Sequence, residues 1–145
     1  MIIATLLMPS SMSGAINTRA ASQQYLEDVA PANTALESFT SEIHAWTNST
    51  PDTEGERQAA SVLSALGTLR KKLLSQSWPQ SVNGGLEFIV REDISSLQED
   101  LNSIDGNSSL GNGAFLLTWS ADSATLASHA FYVRRDLGLP SSRAL

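Results

Sequence analysis

The chain has 145 residues, of which 41% are hydrophobic and only 17% charged, and its net charge is −6. This length fits one domain with a single core, and the composition is that of a globular rather than a disordered protein. An acidic surface repels nucleic-acid phosphates and gains nothing from an anionic membrane, so we expect no nucleic-acid partner. The absence of cysteine excludes disulfides, thiolate metal sites and thiol nucleophiles.

The N-terminal segment, residues 1–17, begins with the uncharged run MIIATLLMPSSM, which leads into Ser13, Gly14 and Ala15. An apolar run followed by small residues is typical of a secretory signal and its cleavage site. The positively charged start of such a signal is missing, since Arg19 is the first basic residue. A disordered or loosely docked tail is therefore the alternative. The run is too short to span a bilayer, and we expect no transmembrane helix.

Apolar residues recur at alternating steps of three and four along four segments, which places them on one face of a helix in each segment. The first helix is predicted over residues 18–47. Pro31 lies inside it and cannot donate to the carbonyl of Glu27, so we expect a kink there. The apolar stripe consists of Tyr25, Val29, Ala32, Leu36, Phe39, Ile43 and Trp46.

The second helix is predicted to begin with Thr50 as N-cap and Pro51 at the first helical position. Its stripe consists of Ala59, Val62, Leu63, Leu66, Leu69 and Leu73. The pair Trp78-Pro79 ends this helix, because the residue before a proline is pushed out of the helical region.

The third helix follows almost at once. Its apolar face consists of Val82, Leu86, Ile89, Val90, Ile94, Leu97, Leu101 and Ile104. Gly84 and Gly85 weaken the first turns of this helix. They either let a neighbouring helix approach closely or leave these turns frayed. Residues 105–113, rich in Gly, Asn and Ser, are predicted to form a loop.

The fourth helix carries Phe115, Trp119, Leu126, Ala130, Val133 and Leu137. Gly138 fits the left-handed position after a helix end, and Pro140 prevents continuation. We expect residues 141–145 to be loose. Together the four segments predict an all-α, antiparallel up-down-up-down four-helix bundle over residues 18–140. A three-helix core with the first segment detached is the alternative.

In such a bundle Trp46 and Trp119 lie at one end, and Trp78 lies at the other with Tyr25 and Tyr132. Aromatic residues at the ends of a bundle usually cap the core, and we prefer that interpretation. For a ligand, the candidate site is the Trp46–Trp119 end with His44, since the long loop could cover it.

We expect no catalytic residue, no cofactor and no metal. The two histidines, His44 and His129, differ in height by roughly 15–20 Å at helical rise, too far to share a metal. The Glu-x-x-His motif of di-iron bundles, the Gly-x-Ser-x-Gly elbow and the phosphate-binding glycine loop are all missing. Asp122 and His129 lie seven residues apart on one helical face, which we interpret as boundary polar positions.

Two acidic pairs, Glu92-Asp93 and Glu99-Asp100, are interpreted as the solvated side of the third helix.

Three motifs resemble a family of small actinobacterial secreted proteins or lipoproteins of unknown function. They are Tyr25-Leu26-x-x-Val29-Ala30-Pro31-x-Asn33, Leu73-Leu74-x-x-x-Trp78-Pro79 and Arg134-Arg135-Asp136-Leu137-Gly138-Leu139-Pro140. The resemblance implies an extracytoplasmic location and no known activity. Lipid-anchored members carry a cysteine near the start, which this chain lacks.

These observations favour a non-enzymatic, extracytoplasmic helical bundle of the cell envelope that binds a protein or an apolar small molecule. A cytosolic helical adaptor or regulatory subunit is the second interpretation. An enzyme that uses serine or carboxylate chemistry in a cleft at the bundle end is the third.

Overall fold

The computed structural model describes residues 9–47, 49–104, 113–142 and 144–145, with side chains from residue 18 onward except that of residue 52. The described residues contain helices and no strand, which confirms the predicted all-α class. The elements are α1 (Pro9–His44), α2 (Asp52–Leu74), α3 (Gln80–Phe88), a π-helical turn (Ile89–Asp93), α4 (Ile94–Asn102) and α5 (Ala114–Asp136). Because α3, the π turn and α4 follow one another without a gap, we call them together the third rod.

The rods pack in chain order: α1 on α2, α2 on the third rod, and the third rod on α5. Contacts between side chains show that neighbours run antiparallel. Trp46 at the end of α1 meets Gln58 near the start of α2, and Asp28 of α1 meets Gln76 just after α2. The backbones of α1 and α5 approach each other less closely than those of the other neighbours, so this side of the bundle is the most open.

The helix boundaries differ from the predicted ones at three places. First, α1 begins at Pro9, nine residues before the predicted start, and runs without a break through Pro31 to His44. The predicted kink at Pro31 stays a prediction. Second, α2 begins at Asp52 with Pro51 as N-cap. The hydroxyl of Thr50 accepts a hydrogen bond from the Thr47 N–H at 2.8 Å, so it closes the preceding turn and does not cap the helix.

The third difference is the π turn in a segment that was predicted as one regular helix. A π turn holds one more residue per turn than an α-helix and occurs often at functional sites. Three-four spacing of apolar residues does not reveal it, because Val90 and Ile94 are four residues apart, a step that continues a regular helical face.

Two glycine predictions can be compared with the structure. A Cβ added at Gly85 would lie 3.0 Å from Cγ2 of Val133 in α5, whereas one added at Gly84 would meet nothing within 4 Å. Gly85 therefore allows the close approach of α3 and α5.

At the end of α5, Gly138 has φ +73°, and the Leu139 N–H donates to the Arg134 carbonyl at 2.8 Å, which confirms the predicted left-handed helix end.

Aromatic rings fill one end of the core. Phe39 is completely buried and contacts Trp46, Phe115 and Trp119 edge-on, with centroid distances of 5.8, 6.1 and 5.0 Å. At the other end Tyr25 meets Trp78 edge-on at 6.5 Å. The prediction that these rings cap the core is confirmed. The prediction is wrong for Tyr132, which is half exposed and contacts Phe131 rather than the core.

The C-terminal segment is packed, and the prediction of a loose tail is wrong at Leu145. Its side chain is 3% exposed, and its N–H donates to Oδ1 of Asn33 in α1 at 2.9 Å. Arg134 of α5 donates from Nη1 to the Leu145 carbonyl and from Nε to the Pro140 carbonyl, both at 2.9 Å. A buried guanidinium thus holds the segment against α1 and α5, an arrangement that tail composition does not reveal.

Candidate functional site

The open side of the bundle contains a cleft between α1 and α5 with a volume of about 420 Å³. One wall is α1, the opposite wall is α5, and the C-terminal segment closes one edge. The lining residues are Asn33, Leu36, Glu37, Thr40, Trp119, Ser123, Leu126, Ala127, Ser142, Ala144 and Leu145. Clefts of about 300–1,000 Å³ with apolar walls and a few polar groups are typical of small-molecule sites.

The chemistry of the cleft follows from how the two helices present their side chains. Leu36, Trp119 and Leu126 supply apolar surface from positions that the three-four spacing assigns to the core. Leu36 is only partly buried, because α5 lies farther from α1 than the other neighbouring helices do. Thr40 and Ser123 also line the cleft, and the Thr40 hydroxyl donates to the Leu36 carbonyl at 2.8 Å.

Charge in the cleft is sparse. Among the described lining residues, Glu37 is the one charged side chain. The guanidinium of Arg134 lies beside the C-terminal segment but is 8% exposed and already bound to two carbonyls. The described residues therefore present no cation to an anionic ligand.

The three residues predicted for the ligand site do not come together. Trp119 lines the cleft. Trp46 packs on Phe39 and Phe115, and its Nε1 donates to Oε1 of Gln58 at 2.7 Å, so it is a structural core residue. His44 is exposed on the last turn of α1, where its Nδ1 lies 2.6 Å from the Thr40 carbonyl. The part of the predicted covering loop at residues 105–112 lies outside the described residues.

Two other hollows are more polar. One of about 370 Å³ is lined partly by Arg70, Glu87 and Arg91, and one of about 650 Å³ is lined partly by Gln24, Gln76 and Ser77. Charged and amide side chains at the mouth of a hollow favour water over an apolar ligand. The α1–α5 cleft is therefore the better candidate.

A second polar feature lies between the third rod and α5, and we call Asp93, Asp100, Asp122 and His129 the polar seam. Asp93 and Asp100 are 4% and 9% exposed, so their assignment to a solvated helix side was wrong. His129 Nδ1 lies 2.6 Å from Oδ2 of Asp93. His129 therefore pairs across the helices with Asp93, whereas the carboxyl group of Asp122 faces that of Asp100.

Burial is the largest influence on the proton affinities of Asp93 and Asp100. Burial, together with the facing carboxyl group of Asp122 and the negative charge of Glu99, raises the pKa of Asp100 to about 7. Burial also raises the pKa of Asp93, while the hydrogen bond from His129 opposes that increase. A sequence signal existed for this pairing: each helix carries its two polar residues seven positions apart, which is two turns.

Among the described residues, no group of three or more His, Cys, Asp or Glu side chains is arranged to hold a metal ion. None of the described helices combines the length and the sustained hydrophobicity that a bilayer crossing requires. No protein-family model, curated protein or solved structure matches this chain. The function has to be inferred from the cleft and the polar seam themselves.

Proposed function

We propose that the protein is a non-catalytic binding module that holds an apolar small molecule in the α1–α5 cleft. The observation that carries this proposal is the cleft itself: it has about 420 Å³ of space, an aromatic and aliphatic lining, and few polar groups. Burying the apolar part of a ligand against Leu36, Trp119 and Leu126 contributes about 25 cal/mol for each Å² removed from water.

The lining also limits the polar part of the ligand. Glu37 would repel a carboxylate or phosphate, and the described lining residues offer no compensating cation. Thr40 and Ser123 suit a neutral hydrogen-bonding group, with the Thr40 hydroxyl as an acceptor because it already donates to the Leu36 carbonyl. Glu37 suits a positive group. The ligand class is accordingly an apolar molecule with an uncharged or cationic polar group.

The binding test uses N-phenyl-1-naphthylamine, a neutral probe whose fluorescence rises in apolar surroundings. We expect saturable binding that decanol and decyltrimethylammonium displace at lower concentrations than decanoate does. Ala127→Phe should fill the cleft and weaken probe binding about tenfold or more, which corresponds to about 1.4 kcal/mol. Ala124→Phe is the matched control, because Ala124 is exposed on the same helix and is not among the lining residues.

Equal probe binding by Ala127→Phe and Ala124→Phe would contradict the proposal, and so would fluorescence that rises without saturation. Displacement by decanoate alone would contradict the assigned charge preference. Circular dichroism of both variants verifies that the helices are intact.

The location that we propose is extracytoplasmic, in the cell envelope. It is supported by the signal-like residues Ser13-Gly14-Ala15 after an apolar run and by the resemblance to secreted actinobacterial proteins, which stays a prediction. Mass spectrometry of the protein from its own host should find a mature chain that begins near Ile16. An intact Met1 would contradict export and favour a cytosolic adaptor.

A further inference from the structure

The polar seam is arranged as two matched pairs across one antiparallel interface. Asp93 and Asp100 lie seven residues apart on the third rod, and Asp122 and His129 lie seven apart on α5. The earlier residue of one helix faces the later residue of the other, so Asp93 meets His129 and Asp100 meets Asp122. Seven residues correspond to about 10 Å along a helix, so the two pairs are separate contacts.

The two pairs differ in chemistry. In the first pair, a histidine donor and a carboxylate acceptor complement each other at 2.6 Å. In the second pair both members are carboxyl groups, and two ionised carboxylates cannot hydrogen-bond to each other. A hydrogen bond between Asp100 and Asp122 can therefore form only while one of the two carboxyl groups carries a proton. Oδ2 of Asp100 is buried and has no hydrogen-bond partner.

The charged groups around the seam supply no positive charge that could take the place of the proton between Asp100 and Asp122. The carboxylate of Glu99 acts on Asp100 from the third rod, and those of Glu92 and Asp122 act on Asp93. From α2, Arg70 reaches the third rod, where its Nη1 donates to Oγ of Ser95 at 3.4 Å. The charges that act on Asp100 are thus all negative, and no described cation compensates a second ionised carboxyl there.

We propose that the interface between the third rod and α5 is a proton-operated contact, in which a single proton shared by Asp100 and Asp122 holds the two helices together. In weakly acidic solution the proton is bound, and the carboxyl pair forms a hydrogen bond. As the pH rises the proton leaves to water, and two carboxylates then face each other in a buried position. Their repulsion and loss of hydration weaken the packing of α5. This inference does not depend on ligand binding in the cleft.

The direction of the pH effect follows from proton linkage. The pKa of Asp100 is about 7 in the folded protein, well above the value of about 3.9 for an unfolded aspartate. Between these values the folded state binds more protons than the unfolded state, so stability falls as the pH rises and levels off above about 7. A single proton changes the unfolding equilibrium constant by up to about tenfold per pH unit.

The test combines a titration and an unfolding series on the full chain. Carbon-13 NMR of the wild-type carboxyl groups should show Asp100 titrating with a midpoint near 7. In urea unfolding, the equilibrium constant should rise about 85-fold between pH 5 and pH 8. Asp100→Asn keeps a hydrogen-bonding side chain without the charge, and it should remove most of this dependence.

Asp122→Asn leaves Asp100 buried but removes the negative charge that faces it, so it should weaken the pH dependence. It replaces Asp100→Asn as the test if that variant fails to fold. Glu27→Gln, a carboxylate-to-amide change at an exposed position of α1, should leave the wild-type pH dependence unchanged. Hydrogen exchange should place the high-pH loosening in α4 and α5. The proposal is overturned if Asp100 titrates below about pH 5 or if Asp100→Asn keeps the wild-type slope.

Discussion

Phe39→Ala is expected to lower the free energy of unfolding by about 3–5 kcal/mol, the largest effect of any single change discussed for this protein. Phe39 lies on α1 and is 0% exposed. Its ring contacts those of Trp46, Phe115 and Trp119. Truncation would remove the buried ring and leave a cavity bounded by three rigid aromatic side chains, which collapse poorly into the space. Each aromatic pair also contributes about 0.5–1.5 kcal/mol beyond its buried area.

The matched control is Phe131→Ala. Phe131 lies on α5, is 42% exposed and contacts Tyr132 at a centroid distance of 5.5 Å. Its truncation should change the free energy of unfolding by less than about 1 kcal/mol. Urea unfolding followed by tryptophan emission compares the two variants, and Trp46 and Trp119 should shift to the red in Phe39→Ala. Equal losses of unfolding free energy in the two variants would show that the aromatic end of the core contributes no more stability than an exposed ring does.

Arg134→Met is expected to lower the free energy of unfolding by about 2–4 kcal/mol. The guanidinium of Arg134 is buried and donates to the carbonyls of Pro140 and Leu145 at 2.9 Å. Hydrogen bonds from a charged donor contribute about 1.5–3 kcal/mol each. Methionine preserves the apolar stem, so the change isolates the loss of these hydrogen bonds from a loss of packing.

Arg135→Met provides the control for charge and size. Arg135 is exposed, pairs with Asp136 at 2.9 Å and lies over the ring of Tyr132, so its replacement should cost less than about 1 kcal/mol. Hydrogen exchange gives a local readout. The Leu145 amide, bonded to Asn33, should lose most of its protection in Arg134→Met and keep it in Arg135→Met. Protection retained in both variants would mean that Asn33 alone holds the segment.

The apolar spacing predicted the buried face of each rod well. Tyr25, Val29 and Phe39 of α1 are all buried, as the stripe requires. Two members of that stripe, Leu36 and Trp46, are only partly buried. Leu36 lies where α1 faces the cleft. No local pattern distinguishes a position on the closed side of a bundle from one on the open side.

The polar seam shows the same division between local and tertiary information. Asp93 and Asp100 are each followed by a buried apolar residue, so in sequence they resemble the edge of a solvated face. Whether an edge residue is solvated depends on the helix packed against it. Here that helix brings His129 to Asp93 and Asp122 to Asp100, and this register follows from how the third rod and α5 pack.

By itself, the sequence determined that the chain forms helices with one apolar face each, because helical periodicity is a local property of residue spacing. It also determined the end of α5 at Gly138, since the left-handed conformation there is set by one residue type. Only the tertiary structure decided which side of the bundle stays open, which acids are buried and where residues 144–145 pack. Those features depend on distances between helices that are far apart in the chain, and such distances are set by the packing of all rods together.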